Sequence, residues 1–435
     1  MLKNSLNIII GGGPAGLGAA YGLEVQGDEF VLFEKKSELG GHSSSYYFGN
    51  SIFEEGPHIS FTKFKKVREL FDKNASHAVR VDKAIVLNYH QGNWITHPVM
   101  ANLGQLQHIG QEIYLSYLET LEDEAPIFTS YDDWLKSTYG EMARDFFFRP
   151  YTLKYWGLEP SQMSLDWVDG RFFPPDPEIV KQGMRESNLN AHYVSEFHYP
   201  YSGGFAAFFN PEKVTQNYSL NSEVIRIDSE NCKVLLSDGQ SVSYVNLIST
   251  MPLPELVQKL GVNVPKNVIE ASSALRCSKL HLVNIRVSNY VGPKTHWFYV
   301  YDLDLYSTRV TIQTAIQFGC DALDQEVDIQ VEVYERDGLN IPSNLASIVI
   351  SELVGIGLFQ AEDLVDYETR YIEYANVVFD HSRKHSLEIV QNYLASINVK
   401  SVGRFGSWEY LWSDESFLEG VAAVNPDLAE TLKGR

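Results

Sequence analysis

The chain has 435 residues, 44% of them hydrophobic and 13% aromatic, enough apolar material for two or three packed domains and too much for a disordered protein. Thirty-five Lys and Arg against 56 Asp and Glu leave a formal charge of −21, and with no basic block this excludes a nucleic-acid-tracking surface. Any anionic small molecule in so acidic a chain must be held by a few locally placed arginines.

Asn7 to Ile10 is a short apolar run that predicts a buried parallel strand, and from Pro14 the small residues and apolar spacing predict a helix. Between them Gly11, Gly13 and Gly16 form G-x-G-x-x-G. The first glycine permits the tight turn, the second lets main chain approach a pyrophosphate, and the third lets helix and strand pack closely. Alone this is equally the turn of an ordinary α/β protein. Its context decides: a turn at Gly27-Asp28 leads into "EFVLFEKK", whose strand ends at Glu34, an acid suited to accept from ribose hydroxyls. The expectation is a dinucleotide site of α/β, Rossmann-like type.

After Glu34 come Gly40-Gly41 and a hairpin-like segment ending in "GPHISF". Here the sequence resembles the FAD-binding superfamily that includes flavin amine oxidases, protoporphyrinogen oxidases, carotenoid desaturases and UDP-galactopyranose mutases. The resemblance implies that the acid and "LGG" grip FAD and that Gly56 and His58 pass beside the isoalloxazine. Without it, His58 reads as a core histidine.

Residues 102–190 have helical apolar spacing and few glycines and predict an inserted domain. From about 221, "SEVIRIDSENCKVLLSDGQSVSYVNLIST" alternates as strands joined by "DSEN" and "SDGQ" turns, its end returning to the FAD sheet. "KLHLVNIRV", "HWFYVYDLDL" and "RVTIQTAIQF" predict an antiparallel substrate sheet. "HSLEIVQNYLASI" predicts a helix, and "FLEGVAAVNPDLAETLKGR" the closing FAD helix. The expected organisation is a discontinuous FAD domain, 1–75, 199–262 and 385–435, with a largely helical insert at 76–198 and a sheet domain at 263–384. Cys232, Cys277 and Cys320 are far apart and lack metal-ligand spacing, no run approaches the roughly 18–20 apolar residues of a membrane span, and "MLKNSLNIII" meets glycines without a cleavage-like segment. A soluble cytoplasmic protein without a metal is expected.

Three stretches narrow the resemblance. "FFFRPYTLKYWGLEPSQMSLDW", "GRFGSWEY" and "WFYVYDLDLYSTRVT" are similar to segments of the UDP-galactopyranose mutases. Carried over position by position, Arg149 and Arg309 fall where the mutases place the two arginines that hold the substrate diphosphate, a task that suits forked permanent cations. Tyr299, Tyr410, Asn376 and Trp156 fall at substrate-contacting positions. Gly11, Gly13, Pro14, Ala15, Gly16, Glu34, Lys35, Gly40, Gly41, His42, His58, Gly203, Gly204, Val224, Thr250, Met251, Arg404, Ser416 and Phe417 fall at FAD positions. Read bare, Arg149 suits a salt bridge to a carboxylate such as Asp145, and Arg309 an exposed strand position. Departures are equally specific. His97, Val99 and Met100 stand where the mutases have an aromatic-rich uracil clamp, and Asn376 replaces a mutase tyrosine, as in the oxidase-like branch.

Two activities therefore stay open. One is a nucleotide-sugar pyranose/furanose mutase, in which N5 of reduced FAD attacks the anomeric carbon while two arginines hold the diphosphate, with His58 at the flavin. The other is an FAD oxidoreductase of the amine oxidase or protoporphyrinogen oxidase type, acting in polysaccharide or natural-product assembly. Either takes a small-molecule substrate, a nucleotide sugar in the first case, and a homodimer is compatible with both.

Overall fold

The structure, a computed structural model, describes residues 6–48, 51–121, 128–172, 174–186, 196–210, 214–324 and 326–434. The first five residues of the opening "MLKNSLNIII", and the ends of some expected helical runs, lie outside these. At its centre is a five-stranded parallel sheet ordered Val399–Ser401, Asn246–Ser249, Asn7–Ile10, Phe30–Phe33, Tyr218–Ser219. All four residues of Asn7–Ile10 are buried, as expected of a parallel strand covered on both faces. Its neighbours come from widely separated parts of the chain, so the dinucleotide unit is discontinuous.

The helix Pro14–Gln26 packs along Ser413–Val424 through glycines on both sides. A Cβ on Gly18 would lie 2.0 Å from the Phe417 carbonyl oxygen, and one on Gly420 1.9 Å from that of Ala15. Only bare main chain allows this approach. The expected closing helix is in fact two, Ser413–Val424 and Pro426–Lys433, broken at Asn425, whose side chain accepts from Leu428 N–H as Pro426 opens the second.

A seven-stranded sheet stands opposite, ordered Leu364–Val377, Cys277–Val287, Val327–Tyr334, Arg309–Ile312, Trp297–Val300, Val86–His90, Asn93–Thr96. Its last two strands lie within 76–198, expected to be largely helical. They form a hairpin about Gln91-Gly92, and Val86–His90 pairs in parallel with Trp297–Val300. "RVTIQTAIQF" departs the other way: it is strand only to Ile312, then helix over Gln313–Phe318. Its β-branched residues suit a strand, but Gln313 donates to the Glu54 carboxylate and Gln317 to the Ile52 carbonyl, and these tertiary partners decide. The helical unit contains Gln107–Thr120, Tyr131–Tyr139, Arg149–Trp156 and Pro177–Gly183. "SEVIRID…" folds as the three-stranded meander expected.

Candidate functional site

A cavity of about 1170 Å³ lies between the parallel sheet, the seven-stranded sheet and the helical unit, somewhat larger than the roughly 300–1,000 Å³ usual for one small ligand. One end is built by the glycine turn. Gly11 has φ +95°, and a Cβ there would meet Thr250 Oγ1 at 2.2 Å. Thr250 is fixed by donating to the Ile10 carbonyl at 3.0 Å. Gly13 and Gly41 face each other across the turn, Gly41 with φ +57°, leaving a main-chain cradle at the N-terminus of Pro14–Gln26 where an anion would meet unsatisfied amides.

Glu34 lies on this wall and is buried. One carboxylate oxygen accepts from Gly12 N–H at 2.6 Å and the other from Lys36 N–H at 2.8 Å. The acid therefore locks the glycine turn, and each oxygen keeps a lone pair for a ribose hydroxyl. The donor and acceptor set, with its side-chain-free cradle, fits a dinucleotide.

Pro14, Ala15, Lys35, His42, Val224, Met251, Arg404 and Ser416 also line the cavity. His42 is 3.0 Å from Glu55, whose other oxygen takes Lys36 Nζ at 2.7 Å. Arg404 donates twice to the Leu411 carbonyl and to Asn376 Oδ1 at 3.4 Å.

Five expected cofactor residues lie off the wall. Gly16 lets the helix close on the strand, since its Cβ would meet the Gly11 carbonyl at 1.9 Å. Gly40 holds the second turn by donating from N–H to the Gly12 carbonyl at 2.8 Å. Gly203 and Gly204 take positive φ, and a Cβ on Gly204 would meet Ser45 Oγ at 2.4 Å, so they turn the chain for close packing. Phe417 is fully buried among Tyr21, Phe71 and Phe209. Its task is core.

His58 sits midway, its ring 5.2 Å from that of Phe205. Nδ1 donates to the Gly56 carbonyl at 2.6 Å, which leaves Nε2 bare. Enclosure by protein, with Arg404, His42 and Arg309 nearby, outweighs that bond and lowers its pKa to about 4. The imidazole is neutral.

At the other end Arg309 lines the cavity and donates from Nε and a terminal nitrogen to Glu332. Burial disfavours its charge, but the adjacent carboxylate raises its pKa well above the ordinary arginine value. Tyr334 donates to Glu332 at 2.9 Å, Asn376 Nδ2 lies 3.4 Å from Tyr334 Oη, and the Tyr155 and Tyr410 hydroxyls are 3.4 Å apart. Burial raises Tyr151, Tyr155, Tyr299 and Tyr334, so these phenols remain neutral donors. Trp156 packs 5.6 Å from the Tyr410 ring.

Arg149 is not part of this group. Its guanidinium forms a fork on Glu159 at 2.8 and 2.5 Å, 37% exposed and outside the cavity. A carboxylate ten residues along the chain captures it, though not the Asp145 that its spacing suggested. Besides Arg309 and Arg404, the wall carries Arg171, stacked 4.0 Å over the Trp412 ring and donating to Glu415 and the Tyr410 carbonyl, each at 2.5 Å. Sequence reasoning missed it; the available signal was an arginine beside aromatic residues in "DWVDGRFF". It also missed Glu332. The strand "VDIQVEVY" is wholly buried, so its alternating Asp328, Gln330 and Glu332 form a polar face inside the protein, not on its surface.

Residues 9–73 match the NAD(P)-binding Rossmann-like domain, and no curated protein matches the chain. Among solved structures, reduced UDP-galactopyranose mutase superposes with TM-score 0.90 at 24% identity, covering 100% of this chain and 97% of that one. The chain has the mutase fold. A protein described as a protoporphyrinogen oxidase from Exiguobacterium sp. 255-15 is also similar, with TM-score 0.74, 15% identity and coverage of 100% and 99%. A CLA-producing fatty acid isomerase from P. acnes gives 0.67, 17%, 98% and 99%. The mutase fold thus spans the full chain, both sheets and the helical unit. Among the described residues no helix is long and apolar enough to cross a membrane, and no group of three or more His, Cys, Asp or Glu is placed to hold a metal.

Proposed function

We propose that the chain is an FAD-dependent nucleotide-sugar pyranose/furanose mutase. The observation that carries this reading is the meeting, in one cavity, of the dinucleotide cradle and the Arg309–Glu332–tyrosine group, with neutral His58 between them. The fold shared with reduced UDP-galactopyranose mutase supports it. Bound reduced flavin would supply a nucleophilic N5 toward the sugar's anomeric carbon.

The chain's own residues do the rest. Arg309 and Arg171, with hydroxyls of Tyr155, Tyr299 and Tyr410, would hold the diphosphate as its bond to the sugar breaks and return it to the same carbon, with no net redox change. Retaining both fragments makes the return effectively intramolecular. Neutral His58 adds no positive charge competing for the diphosphate, and the aromatic walls exclude water. Arg149 has no part.

The second reading, an FAD oxidoreductase, is favoured by His97, Val99 and Met100 on the cavity wall, which supply no aromatic clamp for uracil. Incubating dithionite-reduced protein with UDP-galactose and with dTDP-sugars, and following pyranose–furanose exchange by chromatography, decides between them. Exchange with either is expected. No exchange, together with anaerobic bleaching of the flavin by an amine, would overturn the mutase reading.

A further inference from the structure

Lys154 lies in "FRPYTLKYWG", on the helix Arg149–Trp156 that sends Tyr151, Tyr155 and Trp156 to the cavity wall. It is itself off that wall and only 2% exposed. Among the described residues no carboxylate forms an ion pair with it. Its ammonium donates instead to two main-chain carbonyls, Asp302 at 2.6 Å and Leu305 at 3.0 Å.

Those carbonyls belong to the loop 301–308, which joins the strand carrying Tyr299 to the strand that begins with Arg309. Glu352, the carboxylate whose charge acts most on Lys154, holds the same loop, accepting from Tyr306 N–H at 2.6 Å and from Ser307 N–H and Oγ–H at 3.0 and 2.6 Å. The loop is thus gripped by a cation on its carbonyls and an anion on its amides. Buried charges are costly unless fully bonded, and a methionine would fill this space without donors. What the amine adds is a fixed spacing between the helical unit and the sheet, the two bodies that contribute Tyr155 and Arg309.

We infer that Lys154 is a positioning residue: through the carbonyls of Asp302 and Leu305 it sets Arg309 and Tyr299 at the spacing from Tyr155 needed to hold a nucleoside diphosphate. This rests on the proposed function. Burial, which lowers its pKa to about 7, is consistent with a group kept for its geometry.

The test is calorimetric titration of UDP into flavin-loaded wild type, Lys154→Met and Lys154→Arg, and into Arg309→Ala with and without Lys154→Met. Lys154→Met should weaken UDP binding at least tenfold, and Lys154→Arg should recover part of it. In the Arg309→Ala background the Lys154→Met loss should be clearly smaller, leaving only the part that runs through Tyr299, whereas a general loss of stability would lower both backgrounds alike. If Lys154→Met does not fold, Lys154→Gln, which keeps one donor, should show a smaller loss in the same comparison. Equal affinity in wild type and variant, or an undiminished loss without Arg309, overturns the inference alone. Absence of binding to every protein overturns it together with the diphosphate reading of the site.

Discussion

Two arginines separate a side chain on the cavity wall from one on the surface. Arg309 faces a buried carboxylate, and truncating it leaves Glu332 with only Tyr334, a change costing about 3–5 kcal/mol for a buried pair. Arg309→Lys avoids that loss of charge but removes the fork, and should lower turnover by about a hundredfold, as for loss of one preorganised electrostatic donor. Arg149→Ala breaks only a half-exposed pair, worth about 0–1 kcal/mol, and should leave turnover within about twofold; a large loss would return Arg149 to the site. Glu54 offers a pH test. It lies just before the His58 segment and accepts from Tyr199, from Phe205 N–H at 3.0 Å and from Gln313 at 2.8 Å. Burial nevertheless raises its pKa to about 7, against about 4.3 in the unfolded chain. The native state therefore holds the proton more tightly, so this group's contribution is complete below about pH 4.3 and is lost as pH rises through 7. Relative to Glu54→Gln, the wild-type urea midpoint should fall between pH 5 and pH 8. Parallel midpoints would show that Glu54 does not titrate there.

At the scale of elements, the crossing of Pro14–Gln26 with Ser413–Val424 joins the glycine turn to the end of the chain. Gly420→Ala would drive a methyl into the Ala15 carbonyl and the Ala19 N, at 1.9 and 2.9 Å, and overpacking of this kind costs about 1–3 kcal/mol. Gly355→Ala is the control: a Cβ there meets nothing within 4 Å, and the change should be neutral or stabilising. Thermal melts of the two variants check this, and equal melting temperatures would mean the helices can separate without cost. The glycine turn was legible because its function is local. Strand, turn, helix and acid lie within one βαβ unit, and each glycine's task follows from main-chain sterics. Helix Gln313–Phe318 was not legible, since its deciding partners Glu54 and Ile52 lie 259 and 265 residues away in sequence.

For the whole molecule, the sequence carried the discontinuous parallel sheet, the meander and the mutase-like resemblance, while the cavity's far end needed the structure. Arg149 and Arg171 cannot be ranked by residue type; only the positions of Glu159 and Trp412 distinguish them. Asp328, Gln330 and Glu332 alternate as on any half-exposed strand, and only the layers packed on both faces make that row internal. The sheet has a temporal consequence as well. Asn246–Ser249 pairs on one side with Asn7–Ile10 and on the other with Val399–Ser401. At the roughly 5–20 residues per second of synthesis, the inner strand is made about 8–30 s before its outer neighbour. Until then one apolar edge of the cofactor floor stays open to other chains. Closing this edge therefore waits on Val399–Ser401, the last strand of the sheet to be made.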